Sequence, residues 1–145
     1  MGSRVNPCIT FHGNAREAME FYQQVFGGTL EVSTVTDFGS PDSASADKVM
    51  HSRLDTSAGY TLMAWDFPED RPGHPPYRLG NNVAVFLDGD DGELRDYFEK
   101  LSVDGTVTLP LDKQVWGMRR VRWWTASGSA GCSTSPPATT DRLLA

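Results

Sequence analysis

The sequence predicts an α+β protein built from two copies of one strand–helix–strands module. Three observations carry this expectation. Two amphipathic helical stripes recur at one spacing, each is followed by glycine and β-leaning residues, and a proline-rich stretch separates them. Phe21-Tyr22 and Tyr97-Phe98 lie 76 positions apart, and Gly28-Thr29 and Gly105-Thr106 lie 77 apart. A repeated stripe with a repeated terminator argues for internal duplication. A single unit of this kind cannot bury both faces of its sheet.

The elements follow in order. Val5–Phe11 is short and β-leaning, and Pro7 confines it to a sheet edge or a strand start. Asn14 suits a helix N-cap, with Glu17 three residues later as in a capping box. Ala18, Phe21, Tyr22 and Val25 then form one apolar stripe, and Gly27-Gly28 supplies the left-handed residue that ends helices. Strands are predicted over Thr29–Asp37, Lys48–Asp55 and Tyr60–Asp66. The polar link Phe38–Ala46 and a tight turn at Ser57-Ala58-Gly59 connect them. Residues 67–80 hold four prolines with little periodicity and read as a linker. The pattern restarts with a strand at Asn82–Leu87, a cap at Asp90 or Asp91, and a helix on Leu94, Tyr97, Phe98 and Leu101 closed by Gly105. A further strand begins at Thr106–Leu109.

Composition narrows the function classes. The 145 residues suffice for one domain with a real core, or for two small modules that share one. Net charge is −6, so nucleic acid would be repelled and no nucleic-acid partner is expected. No apolar run reaches the length of a membrane span, and the N-terminus lacks a signal-peptide pattern. Two cysteines, Cys8 and Cys132, make no disulfide framework and suit the cytoplasm.

The stretch Phe11–Gly28, FHGNAREAMEFYQQVFGG, closely resembles the opening of PhnB-like proteins of the vicinal-oxygen-chelate (glyoxalase/bleomycin-resistance/dioxygenase) superfamily. Val49-Met50-His51, Leu62–Asp66, Glu93-Leu94-Arg95 and Gln114–Gly117 match it in order, so the resemblance covers residues 5–117. It implies paired βαβββ modules, about 5–66 and 81–117 with linker 67–80, whose curved mixed sheets enclose a small-molecule cavity in a homodimer. It further implies a small-molecule-binding, glyoxalase-like protein. Nothing in the chain resembles a glycine-rich methyl-donor site. The rival functions are a metal-dependent lyase or dioxygenase of the same superfamily, and a resistance protein that sequesters a drug without turnover. The fold alone does not choose among them.

Metal-dependent members hold a divalent ion with His and Glu from the sheet strands, three or four ligands converging with one position open. Here Asn6–Phe11 and Asn82–Leu87 offer no His or carboxylate, Tyr60–Trp65 is empty until Asp66, and His12, His51 and His74 share no ligand spacing. No metal and no other cofactor is therefore expected. His51, inside a strand, faces either a cavity, as a base or hydrogen-bonding group, or a neighbouring strand that satisfies it. Asp66 precedes Phe67-Pro68, which favours turn capping over acid–base work. Cys8 has no nearby cation and reads as a small buried hydrophobe. His51, Trp65, Asp66, Gln114 and Trp116 are the polar and aromatic residues at strand ends within the matched motifs. They are the candidate wall of one cavity between the modules.

After Gly117 the character changes. Met118–Arg122 carries three arginines, and Thr125–Thr140 contains only Thr, Ala, Ser, Gly, Cys and Pro. Residues 118–145 are therefore expected as an irregular tail, leaving the second module incomplete at its C-terminal strands. Back-translating Trp123–Ser135 and reading each codon one base earlier permits Val-Val-Asp-Arg-Phe-Gly-Val-Gly-Trp-Met-Phe-Asn-Ile. That run resembles the closing strand of the family. The tail is read as out of frame, through loss of one G in the run encoding Trp116-Gly117.

Overall fold

The computed structural model describes residues 2–39, 44–69, 72–73, 75–78, 87, 91–103, 105–113 and 119–125. The chain divides into two compact units, Met1–Tyr77 and Arg78–Ala145, parting within the proline-rich stretch. The first contains β1 (Cys8–Phe11), α1 (Ala15–Phe26), β2 (Thr29–Thr34), a short 3-10 turn (Thr36–Phe38), β3 (Val49–Asp55) and β4 (Thr61–Asp66). Its sheet order is β1-β4-β3-β2; β1 runs parallel to β4 and the other pairs are antiparallel. This is a βαβββ unit, and the α+β class holds. Pro7 sits just before the edge strand β1, where a missing N–H costs nothing, and its carbonyl accepts the Met63 N–H at 3.0 Å.

Helix α1 lies on one face of this sheet. Its buried side chains are Ala15, Ala18, Met19, Tyr22, Val25 and Phe26, packed over Phe11, Val49, Leu54, Leu62 and Ala64. The buried stripe is wider than the predicted one, and Phe21 sits at its half-buried margin. Gly27 ends the helix with its N–H on the Gln23 carbonyl at 2.8 Å. Gly28, at φ +98°, brings its Cα so close to the Asp55 carbonyl and Thr56 Cα that any Cβ would collide with them. That close approach sets β2 against β3 with Thr29 opposite Asp55. Between β3 and β4, Thr56 closes the Ser57-Ala58-Gly59 turn. Its N–H and hydroxyl both reach the Tyr60 carbonyl, at 2.9 and 2.8 Å.

The second unit contains α2 (Asp91–Ser102), β5 (Gly105–Lys113) and β6 (Arg119–Thr125). Leu94 and Leu101 are buried, whereas Tyr97 and Phe98 are half-buried. The helix ends at Ser102, so Gly105 opens β5 instead of terminating α2. Residues 82–86 of the strand expected at Asn82–Leu87, and the tail from residue 126, lie outside the described residues.

One expectation is corrected here. Residues 119–125 form a strand where an irregular tail from residue 118 was anticipated, and β5 is not left unpaired after Leu109. The antiparallel ladder runs from Gly105 opposite Thr125 to Lys113 opposite Arg119, with irregularities on either side of Leu109. Val121, Trp123, Trp124 and Thr125 are strong strand formers, and their propensity prevails over the arginines among them. Pro110, which cannot donate to a ladder, falls within the irregular stretch. No helix among the described residues is long and apolar enough to cross a membrane.

Candidate functional site

Strand alternation and register decide which side chains the first sheet turns away from α1. Leu54 and Ser52 on β3, Leu62, Ala64 and Asp66 on β4, and Phe11 on β1 are buried on the helix side. Their neighbours along each strand face the other way, onto a surface that no described helix or strand of the unit covers. Register then sorts that surface into rows. One row holds Ser33 opposite His51 and Trp65 opposite Thr10, with His51 and Trp65 in the positions next beyond the Ser52–Ala64 pair. The next row holds Glu31, Arg53, Met63 and Cys8. The last holds Thr29, Asp55 and Thr61.

A bulge adjusts this face. The register shifts between Ser33 and Thr34, which oppose His51 and Val49, so Met50 is the extra residue on β3. Val49 is thereby turned to the helix side and buried, while Met50 and His51 both emerge exposed on the open side. His51 is therefore an exposed imidazole, not one satisfied by a neighbouring strand.

Several side chains are held in place. The Trp65 indole N–H donates to Thr10 Oγ1 at 2.6 Å, which fixes a half-buried ring across β4 and β1. The Arg53 guanidinium grips Asp55 through Nε to Oδ2 at 2.7 Å and NH2 to Oδ1 at 2.9 Å, and Thr61 Oγ1 donates to Oδ1 at 2.6 Å. The Arg53 hydrogen bonds, then that of Thr61, bring the Asp55 carboxyl from 3.8 down to about 2. Cys8 is exposed at the edge strand, contrary to the expectation of a buried hydrophobe. Partial burial by its surroundings still pushes its thiol up.

Asp66 belongs to the opposite face. It is 6% exposed, and its two oxygens accept the Ala15 N–H at 2.9 Å and the Val49 N–H at 2.8 Å. One carboxylate thus caps the N-terminus of α1 and anchors the start of β3. Asn14 occupies the cap position but makes no side-chain cap bond, so the capping box is replaced by a residue 51 positions away. Asp66 is a structural cap, although of a helix and a strand and not of its own turn.

Of the five candidate residues, His51 and Trp65 share the open face, and Asp66 lies behind it. Gln114 and Trp116 lie outside the described residues. Ser33, Glu31, Arg53, Thr10 and Met63 also stand on this face. Sequence reasoning passed over them, although the alternation of β2 and β3 around Leu30, Val32 and Leu54 could have identified Glu31, Ser33 and Arg53. His12 lies past the end of β1, stacked on Tyr77 with ring centroids 5.0 Å apart and its Nε2 beside Glu69. His74 lies outside the described residues.

Among the described residues, no three His, Cys, Asp or Glu side chains are grouped to hold a metal ion. Glu31 and His51 are diagonal neighbours. Toward β4 and β1 the open face offers Met63, Trp65, Thr10 and Cys8, and both oxygens of Asp66 are already engaged.

Comparison with known proteins agrees with the architecture. Protein PA1353 from Pseudomonas aeruginosa is 29% identical, with 88% of this chain and 93% of that one aligned at a TM-score of 0.66. A putative 3-demethylubiquinone-9 3-methyltransferase, PhnB protein, from Bacillus cereus is 21% identical over 88% and 95% of the two chains, at a TM-score of 0.63; at that identity it shows the fold alone. No protein with a curated description matches. The profile of the Glyoxalase/Bleomycin resistance protein/Dioxygenase superfamily matches residues 4–130, which is most of the chain. With the βαβββ unit and its open sheet face, this establishes that the chain belongs to the glyoxalase/bleomycin resistance protein/dioxygenase superfamily.

Proposed function

We propose that the protein binds a small organic molecule on the open face of its first sheet, without a bound metal. The observation that carries this reading is that Trp65, its ring pinned by its own N–H to Thr10, shares the open face with the exposed imidazole of His51 and with Ser33. Binding sites combine an apolar, rigid surface with a few placed polar groups, and this row supplies both. Trp65 provides the stacking surface; His51 hydrogen-bonds the ligand, and where the ligand carries an acidic proton it is the group placed to remove it. Gln114 and Trp116 stay candidate ligand contacts on their motif positions alone. Asp66 serves the site indirectly, by fixing the end of β4 that carries Trp65. The protein acts as a homodimer in the cytoplasm, in keeping with its family and its acidic charge.

The test is a fragment screen on the full chain by NMR, after dialysis against a chelator, following the Trp65 indole resonance assigned with Trp65→Phe. Binding that persists without metal, and weakens about tenfold or more in Trp65→Ala, supports the reading; tenfold corresponds to 1.4 kcal/mol. Binding that requires an added divalent ion, or that leaves the Trp65 resonance unmoved, refutes it.

A further inference from the structure

Strand β2 is an edge of the first sheet, and no described strand pairs with its outer side. Backbone alternation decides which of its groups face outward. The Val35 N–H reaches the Lys48 carbonyl at 3.0 Å, so Thr29, Glu31, Ser33 and Val35 turn their N–H and C=O groups toward β3. Leu30, Val32 and Thr34 turn theirs away. Such an outward row is a template for another strand. This one has no proline and no lysine, its extra residue lies on β3, and its one charge is Glu31. One group of the row is nevertheless closed. Asp37, in the exposed turn that follows, accepts both the Thr34 N–H at 2.7 Å and the Thr34 hydroxyl at 3.0 Å on Oδ2. The backbone N–H, then the hydroxyl, hold its carboxyl below the ordinary 3.8 and favour its ionised, accepting form.

We propose that Asp37 is an autoinhibitory contact, which keeps the outer edge of β2 from pairing with the same edge of a second copy of this chain. Register identifies the partner. Antiparallel pairing of two such edges is symmetric about Glu31 or about Val32. About Glu31, two carboxylates stand directly opposite each other, and Thr34 faces Gly28, whose carbonyl already accepts from Gln23 Nε2 at 3.1 Å. About Val32, Glu31 faces Ser33, Leu30 faces Thr34, and the two Val32 residues exchange both of their bonds, so no like charges meet. Leu30 and Val32 are half-buried, and a second strand there covers apolar surface left open at the edge. This register needs the Thr34 N–H of each copy to donate to the Leu30 carbonyl of the other, and Asp37 holds that N–H. Removing the carboxylate returns one such bond from each copy.

Sedimentation velocity on the full chain, across a concentration series, decides this. Asp37 is exposed and outside the core, so Asp37→Ala and Asp37→Ser should fold as the wild type does, which far-UV circular dichroism checks. Both should form a species of twice the wild-type mass, associating at least about tenfold more tightly than the wild type. Asp37→Asn keeps an acceptor oxygen and should stay close to the wild type. Amide exchange should show Leu30, Val32 and Thr34 gaining protection as concentration rises. Val32→Pro removes an outward N–H at no cost to the ladder with β3, and added to Asp37→Ala it should abolish the association. Wild-type mass for both Asp37 variants at every concentration overturns the proposal. So does association that survives Val32→Pro or leaves those three amides without added protection.

Discussion

Replacing Asp66 by alanine removes the acceptor of two buried backbone N–H groups that have no other means of pairing where they stand. The bonds are 2.9 Å from Ala15 and 2.8 Å from Val49, and both are shielded from water. A hydrogen bond to a charged acceptor contributes about 1.5–3 kcal/mol, and a donor stranded by truncation loses its hydration without compensation. Two such bonds set the loss for Asp66→Ala at about 3–6 kcal/mol, a large share of the roughly 5–15 kcal/mol that holds a domain folded. Asp66→Asn keeps one oxygen and turns an NH2 group toward the second donor, so about half of that loss is expected. Equilibrium urea denaturation measures both, with an unchanged dependence on denaturant as the check that the folded state is otherwise intact. Amide exchange localises the effect, because Ala15 and Val49 should lose protection before the centre of β3 does. A loss below about 1 kcal/mol in Asp66→Ala would refute the reasoning, as would Asn and Ala variants of equal stability.

Two further outcomes are expected. Because Arg53 and Thr61 hold the Asp55 carboxyl at about 2 against an ordinary 3.8, the unfolded chain binds more protons between those values. The contribution of Asp55 is thus complete above about pH 4 and is lost as pH falls through about 2. Asp55→Asn should flatten the fall of the denaturation midpoint across that window, and identical slopes in the two proteins would exclude it. Sequencing the gene through the codons of Trp116-Gly117 tests the reading-frame expectation: a run one G longer than this chain requires, opening the frame for Asp-Arg-Phe-Gly-Val, supports it, and a run of the length that encodes this chain as it stands rules it out.

Helix α1 was legible because a period of 3.6 depends only on neighbours along the chain, and Tyr22 and Val25 lie buried as the stripe requires. The three strands after it were legible within a few residues for the same reason. Two features were not. The facing of His51 depends on the bulge at Met50, an extra residue that leaves no mark in composition or alternation. The role of Asp66 depends on Ala15 and Val49, 51 and 17 residues away, and a contact between distant segments has no local signature. Strand β6 was missed for another reason. The Gly/Ser/Thr/Pro-rich stretch beyond Thr125 was allowed to speak for Val121–Thr125, whose own propensity points to a strand.

The two faces of the first sheet differ in how far their polar groups are committed to holding the fold. On the helix side nearly every polar atom is committed: Asp66 takes two N–H groups, and Ser52 Oγ donates to the Ala64 carbonyl at 2.7 Å. Substitution there leaves a buried group without its partner, which is among the few ways a single residue can unfold a small domain. On the open side Glu31, His51 and Met50 are exposed, so their exchange disturbs little of the packing that holds the strands. Trp65 joins the two sides. Its indole is tied to Thr10 on the open face, while the next residue, Asp66, fixes the same strand to α1 and β3 behind it. A βαβββ unit built in this way can vary alternate residues of β2 and β3 while the intervening residues keep the fold, which is how one architecture comes to serve unrelated chemistries.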